Sequence, residues 1–343
     1  MKRQIQTKCP VYEEILRRDF NNSTRIEYEL RQDPYVGQIF NELQSIAAVV
    51  VRPSPSRLPG FLSTSTETEF SRKELGKFEH HEVSSDRDTN SCCFSGATFI
   101  EGGRIVLADW NNACLKLLNN RGLLIHRLEL PNNPWDVKPL SENVLVVTVP
   151  GEQKIYNIKC DNSVLEVESS FDTDCECWGI VPIQDKLAVT CDPWSKAPSV
   201  KLFTMDGKLL SYYQKENSGG TLFAYPEHIA TDTEQEVLYV SDARKQMLIA
   251  VTLDGCVLFR YAHKQLRAPA GVTTDTQGNV YICGKESQNI HQITKEGELI
   301  RILAKKENLG NPRAISIHPD CDRFVISDVS TDECDDIITV SWQ

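Results

Sequence analysis

From Phe94 to the C-terminus, apolar and polar residues alternate in runs of five to seven, and turns cut the runs apart. RIVLAD (Arg104–Asp109), KLAVTCD (Lys186–Asp192), VLYVSD (Val237–Asp242), VYICG (Val280–Gly284) and FVISD (Phe324–Asp328) show the period-two pattern of short strands. Further along each unit comes a turn with Gly and another apolar run. Examples are NNRGLLI (Asn119–Ile125), MDGKLL (Met205–Leu210), LDGCVLF (Leu253–Phe259) and KEGELIRIL (Lys295–Leu303). The whole phrase recurs about every 40–50 residues, the mark of a repeat architecture. No helical stretch separates the strands, so the expected fold is an all-β propeller.

The end of the second strand serves as a marker, at Asp109, Val149, Asp192, Asp242, Gly284 and Asp328, and it counts six blades. Each blade takes four strands, a to d, from the axis outward. In blade four these are His228–Thr231, Val237–Asp242, Met247–Thr252 and Val257–Ala262. Blade six runs short, because the chain ends after Ile337–Ser341. An open sheet edge is normally covered, and KFEHHEVS (Lys77–Ser84) is the candidate strand that pairs there and closes the ring. The alternative is that it is linker and the edge stays exposed.

Residues 11–51 have another texture. Ile15, Ile26, Leu30, Ile39, Leu43 and Ile46 recur among charged residues with roughly helical spacing. Helices are expected over Val11–Phe20, Thr24–Gln32 and Tyr35–Ala48, the second stopping at Asp33–Pro34. Such a stripe needs a partner, either a second copy in a coiled coil or another part of the chain. RPSPSRLPGFLSTSTET (Arg52–Thr68) has linker composition. The expected organisation is a helical segment over 1–51, a Pro/Ser/Thr-rich linker over 52–76 and the propeller over 77–343.

The formal charge is −11, and residues 94–343 hold 24 Lys and Arg against 34 Asp and Glu. An acidic domain is a poor general binder of nucleic acid, whose affinity comes mainly from cations on phosphate. No apolar run is long enough to span a bilayer, and MKRQIQTKCP lacks the apolar core of a secretory signal. Twelve cysteines are present, and Cys191, Cys256 and Cys283 read as single small core residues in strands. A reducing, cytoplasmic setting follows as the expectation.

YPEHIATDTEQEVLYVSDARKQMLIAVTLDGCVLF (Tyr225–Phe259) and APAGVTTDTQGNVYICGKESQNIHQITKEGELI (Ala268–Ile300) resemble the NHL repeats of TRIM-type (tripartite motif) proteins. The helical residues 11–51 are similar to the end of the coiled coil that precedes NHL domains there. The resemblance implies non-catalytic recognition of a macromolecule, linked to ubiquitin signalling or post-transcriptional control. The partner would be a protein or peptide, with RNA as the second class, and the N-terminal helices would pair copies of the chain. The RING and B-box modules have no counterpart: Cys92–Cys93 and Cys175-Glu-Cys177 lack second pairs at zinc-finger spacing. Ubiquitin ligase activity is therefore not carried over.

The rival reading is a metal-dependent hydrolase or lyase, since some six-bladed propellers hold calcium or zinc on the axis. The innermost strands offer Trp135, Asp136, Trp178, His228 and His318, a poor ligand set, so neither a metal nor a cofactor is expected. The strand-end aspartates read as turn residues that bond backbone N–H groups. Sorting loops by face puts Lys196, Arg244, Lys245, Lys264, Arg267 and Lys285 together with Trp110 and Trp194. Lys215, Lys305 and Lys306 extend this arc. The opposite face collects Glu101, Glu142, Asp161, Asp185, Glu234, Glu236 and Asp320. A cationic arc beside aromatics is the expected contact for an acidic peptide or single-stranded RNA.

Overall fold

The computed structural model describes residues 27–30, 49–52 and 74–342, apart from 162, 195–196, 217–218, 305–307 and 329–335. The chain divides into two compact units, residues 1–67 and 68–343. The second unit is a six-bladed propeller of six four-stranded antiparallel sheets. Blade four shows the expected plan, with strands Pro226–Thr231, Val237–Asp242, Met247–Thr252 and Val257–Tyr261 paired in sequence order. The innermost strands a are Phe94–Ile100, Val137–Ser141, Cys177–Ile183, Pro226–Thr231, Pro269–Thr274 and Pro312–Ile317. Each packs on the next around the axis, and the sixth packs on the first.

Closure uses the candidate strand. Leu75–Glu82 pairs antiparallel outside Asp336–Trp342, with Phe78 opposite Val340 and His81 opposite Ile337. His81 Nε2 also meets Thr339 Oγ1 at 2.7 Å. Blade six thus takes its outer strand from the start of the domain, and the last edge is satisfied.

Between blades lie apolar layers, such as Val181, Leu202, Ile229, Val240 and Ile249 from blades three and four. The strand-b positions are buried on both faces, which is why these runs read as nearly continuous apolar sequence. Hydroxyls stitch neighbouring blades together near the axis. Ser95 Oγ donates to Pro134 O, Thr148 Oγ1 to Trp178 O, and Thr190 Oγ1 to Glu227 O.

Three strand-end aspartates do what turn chemistry predicts. Asp242 accepts N–H groups from Ala224, Tyr225 and Lys245, Asp328 from Gly310 and Asn311, and Asp109 from Cys93. The marker in blade three needs correcting by one residue. Cys191 stands opposite Cys177 as Asp242 stands opposite Pro226, and Asp192 follows at φ 53°. Cys256 also differs from expectation: it is half-buried in the turn before strand Val257–Tyr261.

In the first unit, Glu27–Leu30 and Val49–Arg52 form an antiparallel pair, Glu27 opposite Arg52 and Leu30 opposite Val49. This replaces the helix expected over Thr24–Gln32. Ile26, Tyr28 and Leu30 alternate with Arg25, Glu27 and Glu29, a period-two signal that outweighs the sparse helical spacing. Its partner carries the β-branched run Val49–Val51, a strand-former. The helices expected over Val11–Phe20 and Tyr35–Ala48 lie outside the described residues.

Candidate functional site

Strand a opens with a register break against strand b in five blades: at Phe94/Gly96, Cys177/Ile180, Pro226/Ile229, Pro269/Val272 and Pro312/Ile315. A bulge re-aims side chains, and here the break falls on the two residues nearest the axial mouth. Two rings result. The outer ring is Ser95, Trp135, Trp178, Glu227, Ala270 and Arg313. The next ring is Gly96, Asp136, Gly179, His228, Gly271 and Ala314.

The inner ring alternates absent and present side chains for a steric reason. A Cβ on Gly179 would lie 2.7 Å from Glu227 O and 2.8 Å from His228 Cα. One on Gly96 would lie 2.8 Å from Asp136 Cα, and one on Gly271 would lie 2.5 Å from Arg313 O. Blades one, three and five give way so that blades two, four and six can bring their strands to the axis.

The result is an aromatic and cationic cluster that fills the hub. Trp135 and Trp178 meet edge to face at 4.3 Å, and Trp110 lies 5.2 Å from Trp135 and 5.7 Å from Trp178. The His228 ring stacks on Trp135 at 6.0 Å. The Arg313 guanidinium sits 4.5 Å from the centroid of the Trp135 ring and 3.5 Å from Glu227 Oε1. Trp135, Trp178, Glu227 and His228 are all buried, and Trp110 is the half-exposed member. Four buried polar atoms here have no hydrogen-bond partner among the described residues: Trp135 Nε1, Trp178 Nε1, His228 Nε2 and Arg313 Nε.

Electrostatics keep the imidazole neutral. Burial first, then the charges of Lys138, Arg313 and Lys285, hold His228 well below the usual histidine range. Asp136, two blades away, is pushed above the ordinary carboxyl range by burial. Its Oδ1 accepts from Val137 N and from Lys138 Nζ at 3.1 Å, and its Oδ2 from Ile180 N at 3.2 Å. Lys138 also lines a funnel of about 270 Å³ at the opposite mouth, together with Thr98, Val181, Ala230, Thr273 and Ser316. His318 lines the same funnel, within 3.2 Å of Asp322 and 3.6 Å of Asp320, away from the aromatic hub.

This hub does not suit a divalent cation. Its carboxylates are already matched, Asp136 to Lys138 and Glu227 to Arg313, and only one imidazole is present. Three cationic side chains act on that imidazole. Among the described residues, the groups of three close metal-ligating side chains are Cys175, Cys177, Cys191 and Asp88, Cys92, Asp109, and neither involves the hub ring residues.

The candidate arc separates into different environments. Lys245 Nζ donates to Thr221 O and Leu222 O at 2.6 and 2.8 Å, so it ties down its own loop. Arg267 pairs with Glu286 at 3.1 Å, and Arg244 lies 5.9 Å from the Tyr225 ring centroid. Lys264 is exposed, while Lys285 is half-buried and its charge reaches His228. Trp110 belongs to the hub. Trp194 is 66% exposed and meets the Tyr225 ring edge-on at 4.7 Å. Lys196, Lys305 and Lys306 lie outside the described residues. Sequence reasoning had placed Trp135, Asp136, Trp178 and His228 on the innermost strands but missed Glu227 and Arg313. Their signal was positional: each follows the proline that opens strand a.

The molecule therefore falls in the class of six-bladed β-propellers. No family model matches the sequence, and no curated protein matches it. Among solved structures, it is similar to virginiamycin B lyase from Staphylococcus aureus, at 16% identity and TM-score 0.56, over 77% of this chain and 99% of that one. The gluconolactonase XC5397 from Xanthomonas campestris matches at 13% identity and TM-score 0.59, over 79% and 97%. A luciferin-regenerating enzyme matches at 12% identity and TM-score 0.59, over 77% and 95%. These similarities establish the fold. They also correct the non-catalytic recognition role drawn from the TRIM resemblance, because these matching propellers carry the names of enzymes.

Proposed function

We propose that the protein is an enzyme acting on a small organic molecule at the tryptophan-lined mouth of the hub, in the hydrolase or lyase class. The supporting observation is the packing together of four side chains, Trp135, Trp178, His228 and Arg313, each of which carries a buried polar atom without a partner among the described residues. A buried polar group without a partner costs on the order of 1–3 kcal/mol, and a site designed to meet ligand atoms is the common place to bear that cost. The named activities of the similar propellers agree with the class: a lyase and a lactonase.

The chemistry suits a planar carbonyl compound such as a lactone or ester. Indole faces take the apolar body of the substrate. The N–H groups of Trp135, Trp178 and Arg313 are donors for an oxygen that gains charge in the transition state. In hydrolysis, neutral His228 Nε2 takes a proton from the attacking water as its oxygen bonds to the carbonyl carbon, and returns that proton to the leaving oxygen as the acyl–oxygen bond breaks. Burial and three cations disfavour the imidazolium, so the proton is passed on instead of being retained. No step requires a metal at the hub.

A ligand screen tests this reading. Lactones, aryl esters and their carboxylate products are titrated while tryptophan fluorescence and turnover are followed. Ligands from these classes are expected to quench the signal, and Arg313→Met or His228→Asn should weaken binding or turnover by about 100-fold. A panel that gives neither quenching nor turnover at millimolar concentration overturns the proposal. So does binding that is unchanged in both variants.

A further inference from the structure

Blade three departs from the pattern that blades one, four and six share at the end of strand b. In blades one, four and six an aspartate there takes backbone N–H groups of the loop entering strand a. In blade three the position is Cys191, and its cross-strand neighbour is Cys177. Cys175 stands two residues earlier. The Sγ atoms of Cys177 and Cys191 lie 3.3 Å apart, those of Cys175 and Cys177 3.9 Å apart, and all three fall within 4.8 Å of one another. All three thiols are buried and free of disulfides.

We propose that Cys175, Cys177 and Cys191 form a three-thiolate site for a thiophilic divalent cation of the zinc class, with the fourth position open to water or a small ligand. Around a tetrahedral zinc with bonds of about 2.3 Å, neighbouring sulfurs stand about 3.8 Å apart. The observed separations bracket that value, so small side-chain adjustments complete the shell. Thiolate donors select a soft or borderline ion over calcium or magnesium. Lys201 Nζ lies 3.0 Å from Cys175 Sγ and 2.8 Å from Asp174 Oδ1, where its charge offsets the excess negative charge of three thiolates.

Blade one shows why the site is particular to blade three. Lys116 occupies the corresponding place on strand c, 2.9 Å from Cys92 Sγ, but two carboxylates hold it: Asp88 at 2.6 Å and Asp109 at 3.1 Å. The cation of that cluster is the lysine itself. In blade three a thiol replaces the Asp109 carboxylate and a further thiol, Cys177, stands opposite. Linear spacing hid the site, since Cys191 lies fourteen residues beyond Cys177 and arrives only through strand pairing.

Protein purified under reducing conditions is analysed for metal, and the apoprotein is titrated with Co²⁺. The expected result is one equivalent of zinc per chain, near-ultraviolet sulfur-to-cobalt charge-transfer absorption, and a higher melting temperature with zinc. Cys191→Ser and Cys175→Ser should abolish the absorption and weaken zinc binding by about 100-fold or more, whereas Cys283→Ser, a buried thiol in blade five, should not. Cys191→Asp installs the residue that blades one, four and six use, so it is expected to fold and, with one thiolate fewer, to show a weaker charge-transfer band. Absence of the charge-transfer band in folded protein overturns the proposal. The same holds for a band of unchanged intensity in Cys191→Asp, or for thiol counting that finds Cys177 and Cys191 joined as a disulfide under reducing conditions.

Discussion

His228 and His291 are both buried as neutral imidazoles, and each makes stability depend on pH in the same direction. His291 donates from Nε2 to Gln265 O at 3.1 Å, which leaves Nδ1 to accept from Tyr261 Oη at 2.7 Å. Burial lowers its pKa from 6.5 to about 4, and His228 is lowered too. A histidine depressed in the folded state contributes stability that is complete above its unfolded pKa near 6.5. That contribution fades as pH falls toward the folded value. For His291 the change is on the order of 3 kcal/mol. Asp136 works in the opposite sense, because its raised folded pKa favours the folded state as it protonates. Urea unfolding at pH 7, 5.5 and 4.5 should therefore show stability falling across that window. His291→Gln should flatten the slope, and an unchanged slope would refute the assignment.

Among the elements, the closing strand is the one that joins the two ends of the ring. Leu75–Glu82 supplies the outer edge of blade six, and Phe78 packs with Trp342 in the apolar layer that includes Phe324 and Val340. A chain beginning at Glu74 keeps that strand, and a chain beginning at Ser84 does not. The shorter chain should melt at least about 10 °C lower and self-associate through the bare edge of Asp336–Trp342. Calorimetry and light scattering compare the two; equal melting temperatures would mean the strand does not close the ring. This element was legible in the sequence because blade six lacked a fourth strand and an unassigned run preceded blade one. The Glu27–Leu30 strand was not, since RIEYEL fits a helix almost as well as a strand until its partner Val49–Arg52 is known. The slip at Asp192 has the same origin: KLAVTCD and VLYVSD look alike, and only cross-strand register shows that Cys191, not Asp192, matches Asp242. The hub was legible in part. The strand that carries His228 and the segment leading into strand Val137–Ser141 that carries Trp135 follow from the repeat, but the bulges that turn Glu227 and Arg313 to the axis leave no periodic trace.

For the whole molecule, the question is whether ligands meet the rim or the axis. The face that collects Glu101, Glu142, Asp185, Glu234 and Asp320 keeps them exposed, whereas the cations of the other face are differently employed. Lys245 is bound to its own loop, Arg267 to Glu286, and Lys285 bears on His228. An exposed pair such as Arg267–Glu286 adds little more than about 1 kcal/mol and is screened by salt. Desolvated donors at the hub act at full strength, because water does not compete for them. Charge reversal at Arg244, Lys264 and Arg267 should therefore leave hub-ligand affinity within about threefold of the parent and alter mainly the salt dependence of association. Trp178→Ala should remove binding, because it deletes an indole face and an N–H donor at once. If the affinities respond the other way round, with the rim decisive and Trp178 dispensable, the site lies on the loops and the axial aromatics serve only to pack the ring.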